Sequence, residues 1–181
     1  MSNTEESVML EHNILARLEH LEAVNSIRNC LNRYMEICDA LNASTDLNEL
    51  MALFSADAVW EGIGERYAKS FGRYEGAKAI SAMFASYMRK ESHFSLNAHF
   101  VNSEQIQVQH DHAVGKWLML QTSSFVQGGS HLNAAKLHID FKRIAVDQWV
   151  IAHFRTENIF SRQTSDWSDQ AALPVPSLVQ E

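Results

Sequence analysis

Cysteine and proline are scarce in this chain, with two residues of each among 181. Cys30 and Cys38 fall within one predicted helix, so they cannot form a disulfide framework, and no neighbouring Cys/His pair completes a zinc knuckle. A chain without disulfides fits a reducing compartment, and we expect a cytoplasmic protein. Both prolines lie in the stretch "DQAALPVPSLVQE", and we interpret residues 166–181 as an extension to a single domain at residues 1–165.

Positive charge is also in the minority. Lys and Arg number 15 against 22 Asp and Glu, which gives a net charge of −7 at pH 7. The basic residues are scattered, whereas nucleic-acid phosphates need clustered cations. No apolar run approaches the roughly 18 residues that span a bilayer, and the acidic start "MSNTEESVML" has no apolar signal-peptide core. We therefore expect no nucleic-acid partner and no membrane association.

Sequence motifs for nucleotides, dinucleotides and metals are missing too. The chain has neither a P-loop nor the glycine fingerprint of a dinucleotide-binding domain. His110 and His112 flank Asp111, a spacing that could bind a metal on a strand, but the composition is more typical of a hairpin turn. We expect no cofactor and no metal.

The first half of the chain has helical periodicity. Apolar residues recur at three- and four-residue steps over residues 10–41, which predicts one or two amphipathic helices. The repeating residues are Leu18, Leu21, Val24, Ile27, Leu31, Tyr34, Met35, Cys38 and Leu41. Asp46 and Glu49 have capping-box spacing and predict a short helix through "LNELMALF". "AVWEG" predicts a brief strand, "GIGERYAKSFGRYEG" a loop, and residues 77–89 another helix.

The second half predicts β-strands. The strand-length segments are "HFSLNAHFVN", "EQIQVQH", "AVGKWLMLQTSSFV", "HLNAAKLHIDFKRI" and "QWVIAHFRTENIF". The short polar turns "HDH", "QGGS" and "VDQ" separate them, so we expect antiparallel pairing. Helices followed by a meander predict an α+β fold, with N-terminal helices packed on one face of a strongly curved, mostly antiparallel sheet. A bent sheet covered by helices encloses a pocket.

Five segments, in their order along the chain, resemble the SnoaL-like branch of the NTF2-like superfamily. They are "RYMEICDAL", "LNELMALFSADAVWEG", "GRYEGAKAI", "NAHFVNSEQIQVQHDHAVGKW" and "QWVIAHFRTEN", and the resemblance covers about residues 15–160. The branch includes scytalone dehydratase, bile acid 7α-dehydratase and hexachlorocyclohexane dehydrochlorinase. The resemblance implies a cone in which a long helix lies against the curved sheet, with a deep apolar pocket between them.

The resemblance also implies roles for individual residues. His99 matches a strand histidine that removes a proton from carbon, and Asp39 matches a helical aspartate that orients it. Histidine suits proton transfer because its ordinary side-chain pKa, about 6.5, is near working pH. Tyr34 would hydrogen-bond a substrate carbonyl or assist a departing hydroxyl. Arg155 would steady developing negative charge, with Arg143 as the rival candidate.

Each of these assignments has a structural alternative. Tyr34 occupies a helical core position, where tyrosines commonly serve packing. Asp39 could satisfy backbone amides near a helix end. His99 could be an ordinary half-buried strand residue, and Arg155 could form an ion pair with Glu157.

Two tryptophans are the candidate substrate-binding residues. Trp60 and Trp117 could wall a pocket for a flat or hydrophobic ligand, although core packing is the alternative for both. The expected ligand is a small hydrophobic organic molecule. An open sheet face and exposed apolar side chains would favour a homodimer or homotrimer.

Two functions from different classes fit the sequence. The first is a cofactor-independent lyase of dehydratase type, or an isomerase, that uses a His–Asp dyad to abstract a carbon-bound proton from a small or mid-sized hydrophobic substrate. The alternative is a non-catalytic ligand-binding or subunit-interaction module, such as the small subunit of a ring-hydroxylating dioxygenase. An Asp39 carboxylate at a His99 ring nitrogen, with the other nitrogen facing a cavity, would favour the enzyme.

Overall fold

The computed structural model describes residues 3–88, 92–165 and 167. Except for Trp167, the predicted C-terminal extension lies outside the described residues. Within these residues, four helices and six strands follow one another: α1 (Asn3–Asp39), α2 (Leu47–Met51), β1 (Phe54–Ile63), α3 (Gly64–Ser70), β2 (Arg73–Glu75), α4 (Ala77–Ala85), β3 (Phe94–Gln109), β4 (His112–Phe125), β5 (Ser130–Ala145) and β6 (Gln148–Thr164). None of the described helices is both long and apolar enough to span a membrane.

The strands form one curved, open sheet in the order β2-β1-β6-β5-β4-β3. Strands β3 to β6 form the predicted antiparallel meander, and β2 pairs antiparallel with β1. The exception is the pairing of β1 with β6, which is parallel. It makes the first strand along the chain a neighbour of the last. The helices cover one face, which confirms the predicted α+β cone.

Strand β3 corrects the prediction of two separate strands. Its 16 residues run continuously, and a bulge between Asn102 and Gln105 sets two residues of β3 against one of β4. Within the bulge, Ser103 has a φ of 54°, a left-handed conformation that a non-glycine residue adopts at some cost. The extra residue lets Val101 before the bulge and Ile106 after it both pack against the core.

Helix α1 is one helix of 37 residues, about 55 Å long. Its C-terminal half packs on the sheet through Ile27 and Leu31, which are fully buried. Residues 5–22 are all exposed, so the predicted apolar stripe is not buried within this chain where it passes through Leu18 and Leu21. Periodicity identified the helix but could not show that its first turns lack a neighbouring element.

The segment predicted as a loop contains regular structure. The brief strand extends to ten residues as β1, and the following residues form α3 and β2. Gly64 begins α3 and Gly76 is the N-cap of α4, with φ of 72° and 80°, conformations that other residues rarely adopt. Asp46 caps α2 by accepting a hydrogen bond from the Asn48 amide, as predicted, whereas α4 ends at Ala85, before residue 89.

The core lies between the helices and the inner face of the sheet. Ile80 of α4, Ile139 of β5 and Ile151 of β6 are wholly buried within it. Each buried aliphatic side chain of this size contributes about 1.5–3 kcal/mol to stability. The hollow lies beside this core, towards the C-terminal end of α1.

Candidate active site

A pocket of about 320 Å³ lies between the C-terminal end of α1, α4 and the inner face of the sheet. Aromatic rings supply much of its wall: Tyr34, Trp60, Tyr67, Phe71, Phe84, Tyr87, Phe94, Phe125 and Phe154. Trp60 and Phe154 are stacked, with ring planes 4° apart. The hollow predicted from the bent sheet is therefore present, and its wall is mainly apolar.

His99 and Asp39 meet at the wall of this pocket. The His99 ring nitrogen Nδ1 lies 2.5 Å from Asp39 Oδ1, and the His99 backbone amide donates to Asp39 Oδ2 over 3.1 Å. One carboxylate thus holds the histidine by its ring and by its main chain. No described residue hydrogen-bonds Nε2, and His99 lines the pocket, so Nε2 is the ring atom left to face it.

Asp39 owes its position to the end of α1. It is the last residue of the helix, where the helix dipole disfavours a negative charge by roughly 0.3–1 kcal/mol. An aspartate here is therefore a poor choice for helix stability, and its two contacts with His99 compensate for it. Because the helix stops at this residue, Asp39 and Tyr34 both reach the site although they are five positions apart.

A shallower, more open depression lies on the rim side of the same dyad. Its volume is about 540 Å³, and Asn32, Glu36 and Val101 line it together with Asp39 and His99. The depression accounts for the partial exposure of Asp39, whose side chain is 29% accessible against 11% for His99. The aromatic pocket is less open, and it is the better candidate for binding an organic molecule because it removes more ligand surface from water.

Tyr34 is buried in the pocket wall next to Trp60. The Trp60 indole nitrogen donates to the Tyr34 hydroxyl over 3.0 Å, which orients that hydroxyl. Burial, together with the neighbouring Cys38, holds the pKa of Tyr34 well above its ordinary value. The hydroxyl is consequently neutral and able to donate a hydrogen bond over the whole physiological range.

A polar strip crosses the wall beside the dyad. Asn97 Oδ1 accepts hydrogen bonds from Gln121 Nε2 at 2.8 Å and from Ser123 Oγ at 2.9 Å. Asn97 Nδ2 in turn donates to the Cys38 carbonyl near the end of α1, at 3.3 Å. In the β3–β4 pairing, Gln121 stands directly opposite His99. These three residues are not among the site residues predicted from the sequence, although they occupy alternating strand positions, as side chains of one face do.

The structure does not bring Arg155 to the pocket. Phe154 and Thr156 line the pocket, and side chains alternate between faces along a strand, so Arg155 points to the outer face. There its guanidinium pairs with Asp140 at 2.5 Å and donates to the His138 carbonyl, while the expected partner Glu157 contacts Lys136 instead. The prediction that Arg155 is a cation in the pocket is therefore wrong, because the alternation of side chains along β6 places it on the other face.

The rival cation and one tryptophan also lie elsewhere. Arg143 binds Asp111 at the β3–β4 turn, far along the strands from the dyad. Trp117 is buried against Phe141 and donates its indole N–H to Glu104, whereas Trp60 lines the pocket. Trp117 is therefore a core-packing residue and not part of the pocket wall. Within the described ranges, no group of three or more His, Cys, Asp or Glu side chains is arranged to hold a metal ion.

Comparison with known proteins places this geometry in a family. The sequence model of the SnoaL-like domain matches residues 19–155, which is well over half of the chain. No curated protein matches it at a significant level.

Solved structures show the same fold under different names. Hexachlorocyclohexane dehydrochlorinase LinA-type3 from Novosphingobium barchaimii superposes with a TM-score of 0.66 at 15% identity, over 89% of this chain and 99% of that one. A Novosphingobium aromaticivorans protein provisionally named scytalone dehydratase gives 0.66 at 15% identity, over 88% and 97%. A protein of that species provisionally named aromatic ring hydroxylase gives 0.67 at 15% identity, over 80% and 94%.

At this identity the likenesses establish the architecture and leave the reaction open. The profile match and the shared cone agree with each other and with the order of helices and strands. The chain therefore belongs to the SnoaL-like family of the NTF2-like superfamily.

Proposed function

We propose that this protein is a cofactor-independent lyase of dehydratase type, or an isomerase, in which His99 removes a carbon-bound proton. The observation that carries the proposal is the Asp39–His99 contact at the wall of an aromatic pocket. With the Nδ1 proton donated to Asp39, the lone pair is on Nε2, the nitrogen that faces the pocket. The carboxylate also stabilises the imidazolium that forms when Nε2 accepts a proton.

Tyr34 is the proposed acid or hydrogen-bond donor. Its hydroxyl accepts from Trp60, so its own proton remains to be directed at a neighbour, either the Cys38 thiol or a ligand atom. A neutral phenol at this place can donate to a carbonyl oxygen that becomes negative, or to a departing hydroxyl group. The substrate is a small or mid-sized hydrophobic molecule whose acidic C–H adjoins a carbonyl.

The quaternary structure stays a prediction of a homodimer or homotrimer. Exposed apolar side chains support it on two surfaces, Leu10 and Ile14 on α1 and Phe100 and Leu118 on the outer face of the sheet. A monomeric mass in light scattering coupled to gel filtration would contradict it.

A test of the base role does not require the natural substrate. We choose 2-tetralone, an uncharged bicyclic ketone with activated C–H bonds, and measure its α-proton exchange in D2O by NMR. The wild-type protein should accelerate exchange, and His99→Ala should lower the rate by about 10²- to 10⁴-fold, the usual contribution of a general base. The Asp39 contact with the main chain of residue 99 survives this substitution, so we expect little loss of stability.

The matched control is His112→Ala, which removes an exposed histidine at the β3–β4 turn. This variant should exchange 2-tetralone at the wild-type rate. If wild type and His99→Ala exchange equally slowly, the enzyme assignment fails and the non-catalytic module is the better description. A large fall in unfolding free energy for His99→Ala would instead mark the histidine as structural.

A further inference from the structure

The wall of the pocket carries no fixed charge. Among the described residues that line it, none is Asp, Glu, Lys or Arg. Transferring an ionised group from water into such a site costs several kcal/mol unless a counter-charge meets it. Arg155, the cation expected there, is engaged by Asp140 on the other face. Apart from the titratable rings of His93 and His99, the described part of the wall offers no counter-charge, and it therefore favours an uncharged ligand.

Gln121 is the polar side chain that stands nearest to His99 in the sheet. The two residues are direct partners in the β3–β4 pairing, where opposite Cβ atoms are about 4.5–5.5 Å apart and point to the same face. Both line the pocket. A ligand carbon in contact with His99 Nε2 consequently has its neighbouring atoms next to the Gln121 carboxamide.

The Gln121 carboxamide is held in one orientation. Its Nε2 donates one hydrogen to Asn97 Oδ1 at 2.8 Å, and Asn97 is itself anchored by Ser123 and by the Cys38 carbonyl. A primary amide nitrogen has two hydrogens. The second one has no partner within the described part of the chain, and because the first is fixed, its direction is fixed as well. Gln121 thus offers a preorganised, neutral donor.

Building on the proposed function, we propose that this pocket takes an uncharged, ring-bearing carbonyl compound and that Gln121 donates its second N–H to the carbonyl oxygen. His99 Nε2 takes the proton from the adjacent carbon, the C–H electron pair forms the enolate C=C bond, and negative charge moves to that oxygen. The hydrogen bond from Gln121 strengthens as the charge develops. Gln121 is then the oxyanion donor that Arg155 cannot be.

The test separates recognition of the oxygen from simple burial of a ring. The probes are 2-naphthol, which is a planar, uncharged enol at pH 7, naphthalene, which lacks the oxygen, and 2-naphthoate, which carries a negative charge. Binding is measured by NMR titration of the protein. The wild type should bind 2-naphthol at least about tenfold more tightly than 2-naphthoate, and more tightly than naphthalene.

Gln121→Leu keeps a side chain of similar size but removes the donor. It should weaken 2-naphthol binding by about tenfold, the usual worth of one hydrogen bond, and leave naphthalene binding within about twofold. The matched control is Gln107→Leu, an exposed residue outside the pocket lining on β3, which should alter neither. Circular dichroism and the unfolding midpoint verify that both variants are folded.

Any of four results would overturn the inference. Gln121→Leu could weaken 2-naphthol and naphthalene binding equally, or leave 2-naphthol binding unchanged. The wild type could bind 2-naphthoate as tightly as 2-naphthol, or bind no 2-naphthol. Failure of the proposed function has a different signature, namely no α-proton exchange of 2-tetralone while the Gln121 effect on 2-naphthol persists. The two ideas can therefore fail separately.

Discussion

The two faces of the sheet each carry a histidine bound to a carboxylate, and the pairs differ in what surrounds them. On the inner face, His99 meets Asp39 at 2.5 Å, and its ring, which has no partner for Nε2 among the described residues, lines an aromatic pocket without carboxylate or Lys/Arg side chains. On the outer face, His153 Nε2 meets Glu61 at 2.7 Å, and its Nδ1 faces Asp140 at 4.0 Å. A close His–carboxylate contact therefore does not by itself identify a base.

The outer pair is part of an ionic network. Arg73 binds Glu61 at 2.9 Å, and Arg155 binds Asp140. Burial alone would raise the pKa of Glu61, but the hydrogen bonds from Arg73 and His153 outweigh it and hold that pKa below its ordinary value. His153 Nε2 and the guanidinium groups of Arg73 and Arg155 each contact a carboxylate, and His153 Nδ1 has the Asp140 carboxylate 4.0 Å away. The inner pair instead leaves one nitrogen for a ligand, and this difference separates a candidate catalytic group from a structural one.

The largest effect that tests this comparison is expected from Asp39→Asn. The His99 main-chain amide needs an acceptor, so the asparagine oxygen should take that hydrogen bond and its NH2 group should face the ring. Nδ1 must then accept, the proton moves to Nε2, and the base loses its lone pair. Exchange of 2-tetralone should fall by about 10²- to 10⁴-fold.

The outer-face counterpart, Glu61→Gln, should leave the exchange rate within about twofold of wild type. Both variants are assayed at the same protein concentration after their folding has been verified by circular dichroism. An outer-face loss as large as the inner-face loss would erase the distinction between the two pairs.

A smaller effect is expected from a hydroxyl on the inner face. Thr156 lines the pocket, is only 5% exposed, and its Oγ1 has no hydrogen-bond partner among the described residues. Because an unsatisfied buried donor costs about 1–3 kcal/mol, Thr156→Val should stabilise the unliganded protein by about 1 kcal/mol. Urea denaturation measures this, and Thr122→Val, on the other face of β4, should change stability by less than about 0.5 kcal/mol. A destabilised Thr156→Val would show that the hydroxyl already has a partner.

The smallest effect concerns pH and the outer face. A carboxyl whose folded-state pKa is depressed stabilises the protein above its ordinary pKa, 4.5 for Glu61, and this contribution is lost as the pH falls through the folded value. At pH 7 the wild type should exceed Glu61→Gln in unfolding free energy by about 1 kcal/mol or less. The gap should shrink below pH 4.5 in denaturation curves recorded across this range. A gap that grew on acidification would have the wrong sign.

The sequence predicts most of the fold because its signals are local. Helical periodicity locates α1 and α4, alternation locates the meander, and the match of "RYMEICDAL" and "NAHFVNSE" leads to Asp39 and His99. Arg155 was misplaced because a motif match fixes the position along β6 but not the face, which depends on register. The apolar neighbour Phe154 carried the missing signal, since an inward Phe154 requires an outward Arg155.

Gln121 could not be found by counting along the sequence. From the turn that pairs Gln109 with His112, a regular hairpin would set His99 opposite Thr122. The bulge in β3 shifts the pairing by one residue and brings Gln121 opposite instead. The residues around Ser103 carry no local signal for this shift. The parallel pairing of β1 with β6 joins segments that are distant in the sequence, so local patterns do not predict it either.

The bulge at Ser103 also determines which face of the sheet carries the His99 side chain. Five positions, an odd number, separate Val101 from Ile106, so an unbroken strand would send them to opposite faces. The extra residue in the bulge restores the alternation. Ile106 after the bulge and Val101, which shares a face with His99, can therefore both point to the inner face. If one residue of the bulge were deleted, Ile106 and His99 could no longer both point to the inner face. Either the core would lose Ile106 or the pocket would lose the His99 imidazole. The face of the sheet on which His99 lies thus depends on a residue, Ser103, that does not itself line the pocket.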